Sequence, residues 1–536
     1  MTSSPFLART ARGRCVPAGL LPCAALATVF TLLNCLKPLH IDDAAYYCYA
    51  RQIADAPLAP YGFEVLWGDR PCPANKLLAP PVLLYWWGAG LRLFGDSPFL
   101  WKLWLFPFAL LLVCSLHALL RRFARGLHLL LLWLAVLSPS LLPGFNLMLD
   151  VPALALSLTA LALFLRASDR SNMKNALLAG VVAGLAAQTK YTGLLTPALF
   201  LLYAILFRRL RLGLVAVAPA VLLFVGWEVF VALRHGESHL LANMGNQYQP
   251  LWVKFGPLFR ALLNFGGGLA APIGLLGLAA LGLSRRSVLA IAAVVLPGCL
   301  LASALVYRLL GLLLCGILAA VAWRLLRSGP VRRRRVEWFL VLWLVLEVAS
   351  YFVLTPFPAA RRLMGVLVAA TILAGRLAAR TCRTSDRVAL VRGVTVGGVL
   401  IGLMLYAVDL CEAVAVPRAI AQAARRVESH DAEATVWYVG SWGLKFYAER
   451  VGMRPVIPDQ PRLRAGDWLI VPDELVPRQH VQLTDAPLTL VDCVSIDDVI
   501  PLRTVGCYYG GNVPLEPHRG PRITLKLYRV VATVTP

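Results

Sequence analysis

Two adjacent carboxylates, Asp42 and Asp43, lie at the start of the stretch HIDDAAYYCYARQIA, residues 40–54. A carboxylate can take a proton from a hydroxyl, and cations set beyond it can neutralise a departing anion, so acid and cations brought together have the means for a group transfer. Residues of the required types recur along the chain: Asp150 in LMLDVPAL, Lys190 in GLAAQTKYTGLL, and Arg361 and Arg362 in AARRLMG. If residues 42–55 are helical, Tyr46 lies one turn after Asp42 and Tyr47 one turn after Asp43. The two carboxylates then diverge by about 100 degrees, which predicts different roles for them. A plain helix cap is the alternative for either acid taken singly.

The elements that must bring these residues together are membrane helices. With 59% hydrophobic and 15% charged residues and a mean hydropathy of +0.70, the chain exceeds what a soluble domain carries. Apolar runs near 17–36, 98–120, 126–142, 148–166, 175–190, 192–207, 213–233, 258–283, 287–306, 308–326, 337–355, 363–379 and 389–411 predict about thirteen crossings. The first run follows Arg9, Arg12 and Arg14 and is read as an uncleaved span, because no small-residue cleavage pattern follows it and more spans come after. The net charge of +24 does not point to nucleic acid, since the basic residues form short clusters between apolar runs, such as RRFARG, RRLR and WRLLRSGPVRRRR. With the amino end inside, all of these clusters fall on the cytoplasmic side. Residues 37–97, the turn before Asp150, the loop 234–257 and everything after about 412 then face outward. Lys190, Arg308, Arg361 and Arg362 break the pattern as cations at outer span ends, which marks them as site candidates. For Lys190 and Arg361 a snorkelling anchor is the alternative, and for Asp150 a helix-start acid favouring the dipole.

The outer loop 37–97 continues with PPVLLYWWGAGLRLFG, a run from Pro80 and Pro81 too short to span, with Tyr85, Trp86 and Trp87 as headgroup anchors. Taken with the acidic pair, LMLDVPAL and GLAAQTKYTGLL in that order, this segment resembles the bacterial glycosyltransferase family 39 proteins, relatives of protein O-mannosyltransferases and lipid A aminoarabinose transferases. The resemblance covers roughly residues 40–210, with weaker echoes at AARRLMG and YVGSWGLKFYAER. It implies a polytopic α-helical GT-C-type fold in a bacterial inner membrane, a polyprenyl-phosphate sugar donor and an acceptor hydroxyl on a lipid, glycan or protein at the extracytoplasmic face. It assigns the catalytic base to Asp42 and Asp43 jointly, with Asp43 preferred. It places Asp150, Lys190 and Arg361 at the substrates, and Arg362, Lys76, Tyr46, Tyr47 and His40 are grouped with them. Ala79 stands where relatives often have a base, leaving Lys76 as the nearest cation, and Arg362 stands where a tyrosine is common. The resemblance implies no required cofactor, although an acidic pair can take a divalent cation. The chain contains no Walker loop and no Gly-rich dinucleotide turn, which agrees with a lipid-borne donor.

His235, Glu237 and His239 alternate, but the stretch lacks strand character, so it is read as a polar loop with His235 and Glu237 near substrate rather than as a zinc site. Residues 1–412 form the membrane domain, and 413–536 read as a small outer α/β domain: strand at ATVWYVG, helix at SWGLKFYAERVG, strand at DWLIVPDEL and an exposed strand at RITLKLYRVV. Cys48 with Cys72 and Cys493 with Cys507 are candidate disulfides if the loops face an oxidising compartment. A polyprenyl-linked sugar transporter and an O-antigen-ligase-like enzyme remain the other readings. No repeated half-sequence supports the first, and the early acidic loop disfavours the second.

Overall fold

The computed structural model describes residues 20–77, 79–247, 262, 264–300, 303–328, 334–354, 359–458, 463–473, 476–479, 481, 487–504, 509 and 515–533. Within these, six helices are long and apolar enough to cross a bilayer: Pro98–Phe123, Asp150–Arg170, Leu210–His235, Ala304–Arg327, Ala360–Thr381 and Ser385–His430. This is an integral membrane protein built mainly of helices. Shorter apolar helices, Leu20–Leu36, Met173–Ala187 and Tyr191–Leu206 among them, pack between the long ones. The expected crossing at 126–142 contains only the nine-residue helix His128–Val136. At 1.5 Å per residue it covers about 14 Å, less than half a hydrocarbon core.

Part of the expected span 258–283 lies outside the described residues, and the rest winds as a π-helix over Phe265–Gly274 before the α-helix Leu275–Leu281. The run FGGG offers little resistance to the wider turn, and Pro272 has no N–H to give to an α ladder. Here a glycine is required by contact: a Cβ on Gly266 would collide with the Tyr307 carbonyl of the neighbouring helix.

The segment expected as the first outer loop forms a layer of its own. Helix Asp43–Asp55 packs on helix Pro81–Phe94, with a hairpin of β1 (Glu64–Leu66) and β2 (Pro71–Pro73) between them. Pro81 sits at the first helical position, where a missing N–H costs nothing. Tyr49 and Tyr61 donate to the carbonyls of Ala74 and Ala79, each at 2.7 Å, which ties the layer across its width. The aromatic run does not act as a set of headgroup anchors. Trp87 is 1% exposed, and Trp86 stacks on Trp104 at 4.7 Å while each indole N–H donates to the other's carbonyl at 2.9 Å. Two half-buried indoles need acceptors, and the carbonyl of each residue serves the other's.

The change of character after 412 comes later than expected. Helix Ser385–His430 runs unbroken for 46 residues, past Pro417, and serves both the bundle and the region beyond it. There β3 (Val436–Tyr438), β4 (Arg454–Pro455), β5 (Trp468–Pro472), β6 (Leu488–Ile496) and β9 (Ile523–Val530) form one sheet in the order β4-β3-β5-β9-β6. The short β7 (Leu502–Arg503) and β8 (Glu516–Pro517) pair separately. Helix Trp442–Arg450 follows β3, as its sequence predicts. The strand expected to be exposed, β9, instead lies between β5 and β6 and buries Ile523, Leu525, Leu527 and Val530. Its alternation reflects one face on the core, which an interior strand shows as readily as an edge strand.

Candidate functional site

Asp42 occupies the N-cap position of helix Asp43–Asp55, yet its side chain makes no cap hydrogen bond. It reaches instead to Arg361, Oδ2 to Nη2 at 2.7 Å. Arg361 comes from the short turn Ala360–Leu363 that starts the helix of residues 360–381, and its other nitrogen lies 3.6 Å from Asp150. Asp150, the first residue of its helix, is ion-paired with Lys190. Four residues taken from 319 positions of sequence therefore form one chain, Asp42, Arg361, Asp150, Lys190, at one end of the bundle. They line a cavity of about 440 Å³ together with Arg362, Tyr46, Tyr49, Trp67, Trp442 and Tyr509.

Asp43 points the other way. It is 0% exposed and does not line the cavity. Its Oδ2 accepts from the His40 N–H at 3.0 Å, and its own N–H donates to the His40 carbonyl at 3.1 Å, so it closes the turn that precedes the helix. That turn holds Ile41 at φ +50, a left-handed conformation rare for a β-branched residue. The hydrogen bonds to His40 turn Asp43 inward, while Asp42 faces Arg361. Burial pushes the Asp43 carboxyl up to about 6, against the opposing pull of Lys102 and the His40 N–H. Burial likewise lowers His40, to about 4, so at neutral pH its ring is uncharged. It sits edge-on to Tyr509 at 5.6 Å.

Behind Asp43 lies a second, closed set of charges. Lys37 donates to Asp409 and to the Pro143 carbonyl, both at 2.6 Å, and Lys102 donates to the Lys37 carbonyl at 2.6 Å. Neither Lys37 nor Lys102 was singled out by sequence, since each stands at the end of an apolar run where a lysine normally snorkels.

The remaining expected residues divide. Tyr46 lines the cavity, and burial raises its phenol above the ordinary range. Tyr47 does not; it packs between Trp101 and Phe446 at 5.4 and 5.1 Å. Lys76 is exposed and is not a lining residue. His235 and Glu237 are also absent from the lining. His239 is buried: its Nε2 lies 2.9 Å from the Leu77 carbonyl, and its Nδ1 meets the Tyr191 hydroxyl, which donates to Glu228 Oε1 at 3.0 Å. Tyr191 follows Lys190, so the TKY run supplies both a cavity cation and the anchor of the adjoining loop. Among the described residues no group of three or more His, Cys, Asp or Glu side chains is placed to hold a metal.

Cys48 and Cys72 are free thiols, each turned to a local carbonyl, Ala44 at 3.4 Å and Val65 at 3.6 Å, rather than to each other. Cys493 is free as well, and Cys507 lies outside the described residues.

Two cavity residues that sequence did not mark as site candidates are Trp442, inside the weak echo YVGSWGLKFYAER, and Tyr509. Both belong to the region after the long helix and meet the acidic loop only through the fold. Leu39 N–H donates to the Tyr447 hydroxyl at 2.9 Å, Arg450 pairs with Asp96 at 2.7 Å, and Asn146 donates to the Tyr509 hydroxyl at 2.8 Å.

No protein-family model matches the chain, and no curated protein sequence matches it. Solved structures do. ArnT from Cupriavidus metallidurans, in a structure with undecaprenyl phosphate bound, aligns over 85% of this chain and 93% of its own, with a TM-score of 0.51 at 15% identity. The fold of this chain is similar to that of ArnT. A helical scaffold is therefore shared although little sequence is. The oligosaccharyltransferase of Archaeoglobus fulgidus aligns with a TM-score of 0.48 at 14% identity, covering 81% of this chain and 62% of its own. The arabinofuranosyltransferase AftD from mycobacteria aligns with a TM-score of 0.47 at 15% identity, covering 96% of this chain and 40% of its own.

Proposed function

We propose that this protein is a membrane glycosyltransferase. It moves a sugar from a polyprenyl-phosphate donor to an acceptor hydroxyl of a lipid, glycan or protein at the extracytoplasmic face of a bacterial inner membrane. The observation that carries this reading is the charge of the cavity: Lys190, Arg361 and Arg362 set against Asp42 and Asp150 leave one positive charge over. A phosphodiester anion would neutralise it. The order of the family-39-like motifs supports the same reading, as does the bound lipid phosphate named for ArnT.

In this mechanism Asp42 is the base. It faces the cavity, whereas Asp43, favoured by sequence, is sealed behind it. Arg361 is paired with Asp42. Donor phosphate draws Arg361 away, leaving the carboxylate free to accept the acceptor's hydroxyl proton. The acceptor oxygen forms a bond to the anomeric carbon as the bond from that carbon to the phosphate oxygen breaks. The electron pair leaves on polyprenyl phosphate, neutralised by Arg361, Arg362 and Lys190. Asp150 keeps Lys190 and Arg361 in place. Each step uses groups of this chain alone.

The test is transfer of label from a panel of undecaprenyl-phosphate hexoses and pentoses in proteoliposomes, comparing wild type, Asp42→Asn and Asp43→Asn at matched folded amounts. Loss in Asp42→Asn with transfer retained in Asp43→Asn is the expected result. Labelled donor that crosses the bilayer unchanged, with neither substitution mattering, would replace the enzyme with a transporter.

A further inference from the structure

Among the described residues four that are not glycine have a left-handed φ: Ile41, Ser171, Arg208 and Trp442. Ser171 and Arg208 lie at helix ends. Ile41 and Trp442 line the same cavity from regions 401 positions apart, and they pack in one cluster with Met148, Ala360 and Tyr509. Trp442, at φ +60, is a bulky residue in a conformation suited to glycine, and the surrounding structure must hold it there. The helix it begins rests on the acidic loop. A Cβ on Gly443 would stand 3.1 Å from the Leu39 carbonyl, Phe446 meets Tyr47 edge-on at 5.1 Å, and Tyr447 accepts from Leu39. The sheet region is thus docked so that one indole enters the wall of the cavity that Asp42 also lines.

Tyr509 is placed with equal care. Its hydroxyl accepts from Asn146 at 2.8 Å, its ring stands edge-on to His40, and the Arg361 guanidinium lies over it at 5.2 Å. Two rigid aromatic side chains from the C-terminal region therefore flank the charged row, with Arg361 touching both Asp42 and Tyr509. Charge alone would not require them, since a phosphate needs cations only. A ligand with an apolar ring face and a rim of hydroxyls needs both a flat aromatic surface and nearby polar groups.

We propose that Trp442 and Tyr509 form the surface against which a sugar ring is held, so that the C-terminal region supplies sugar selectivity to a reaction centre whose charges come from the bundle. This rests on the glycosyltransferase reading for the identity of the charged row, but the aromatic pair makes its own claim, that a carbohydrate ring binds there. The ring belongs either to the donor or to the acceptor.

Hydroxyl-radical footprinting of the full chain in nanodiscs, read by mass spectrometry at Trp442 and Tyr509, separates these cases. The probes are undecaprenyl phosphate, the undecaprenyl-phosphate sugars and octyl glycosides. Protection by the sugar-bearing lipid beyond that given by the bare lipid phosphate assigns the ring to the donor. Protection by octyl glycosides assigns it to the acceptor, and if it occurs in protein that binds no undecaprenyl phosphate it keeps the sugar surface while removing the lipid-donor reading. Equal protection by bare lipid phosphate, or none by any probe, overturns the proposal. In transfer assays Trp442→Ala is expected to raise KM for that same substrate about three- to tenfold, with kcat nearly unchanged, and Trp442→Phe to restore most of it. A KM that stays within twofold in well-folded Trp442→Ala, judged by an unchanged melting temperature, also overturns it.

Discussion

Two groups of charges stand back to back across residues 40–43, and they are built from the same residue types. On one side Asp42, Asp150, Lys190, Arg361 and Arg362 line a cavity of about 440 Å³. On the other Asp43, Asp409, Lys37 and Lys102 are each no more than 1% exposed. The first group has one more cation than acid and room for a ligand. The second balances two against two and spends its remaining donors on carbonyls of the chain, at Pro143 and Lys37. Buried charge that is balanced is satisfied within the chain, whereas a surplus beside open volume leaves charge for a ligand to neutralise. The turn at Ile41 divides the two and sends one acid to each.

The largest effect should come from breaking the open side. Asp42→Asn is expected to lower transfer by about 10²–10⁴-fold, as loss of a general base does, without changing the melting temperature in detergent. A variant that melts early would instead place Asp42 with the closed group.

The closed side should respond in the opposite currency. Lys37→Met leaves Asp409 charged in the interior and should cost about 3–5 kcal/mol in thermal or denaturant unfolding, while the folded fraction retains transfer. Lys37→Met combined with Asp409→Leu should recover most of the loss. No recovery would mean that the pair is not the reason for the cost.

A subtler effect comes from pH. Asp43, raised from 3.8 to about 6, binds its proton more tightly in the fold, so its contribution to stability is present below about 4 and is lost as pH rises through 6. His40, lowered from 6.5 to about 4, is protonated in the unfolded chain first, so its contribution is present above about 6.5 and is lost as pH falls through 4. The two slopes oppose one another between pH 4 and 6. Asp43→Asn should expose a stability that rises with pH in that window, and His40→Gln one that falls. Unfolding midpoints from pH 4 to 7 check both signs, and parallel slopes would dissolve the division at residue 41.

The smallest effect is expected where charge is wet. Arg450 and Asp96 tie the C-terminal helix to the first loop at 2.7 Å, with side chains 37% and 59% exposed. Arg450→Gln should change stability by under about 1 kcal/mol, and less in high salt.

Much of this could be read from residue order. The helix Asp43–Asp55, the proline start at Pro81 and the cations at Lys190 and Arg361 follow from local pattern, and local pattern is what governs them. Which acid faces the cavity does not. A hundred degrees of helix separates the two carboxylates, but only tertiary contacts choose the zero of that angle, and here a hydrogen bond three residues back to His40 chose it. Lys37 with Asp409 spans 372 positions, and Asn146 with Tyr509 spans 363. No window of sequence contains either pair. The headgroup reading of Trp86 and Trp87 failed for a related reason: aromatic runs suit a lipid interface and a protein interior equally, and Trp104 decided between them. His239 gives no local signal because its partners, Tyr191 and the Leu77 carbonyl, come from two other segments.

The helix Ser385–His430 is about 69 Å long at 1.5 Å per residue, more than twice the thickness of a hydrocarbon core. One such rod, carrying Asp409 within the bundle and running on to the sheet, acts as a strut. It sets the gauge of the opening between Trp442 and Asp42, as the frame of a caliper sets the gap between its jaws. Substrates would then be sorted by a stiff aperture, and Pro417 is the one place inside the rod where a missing N–H could let that gauge change.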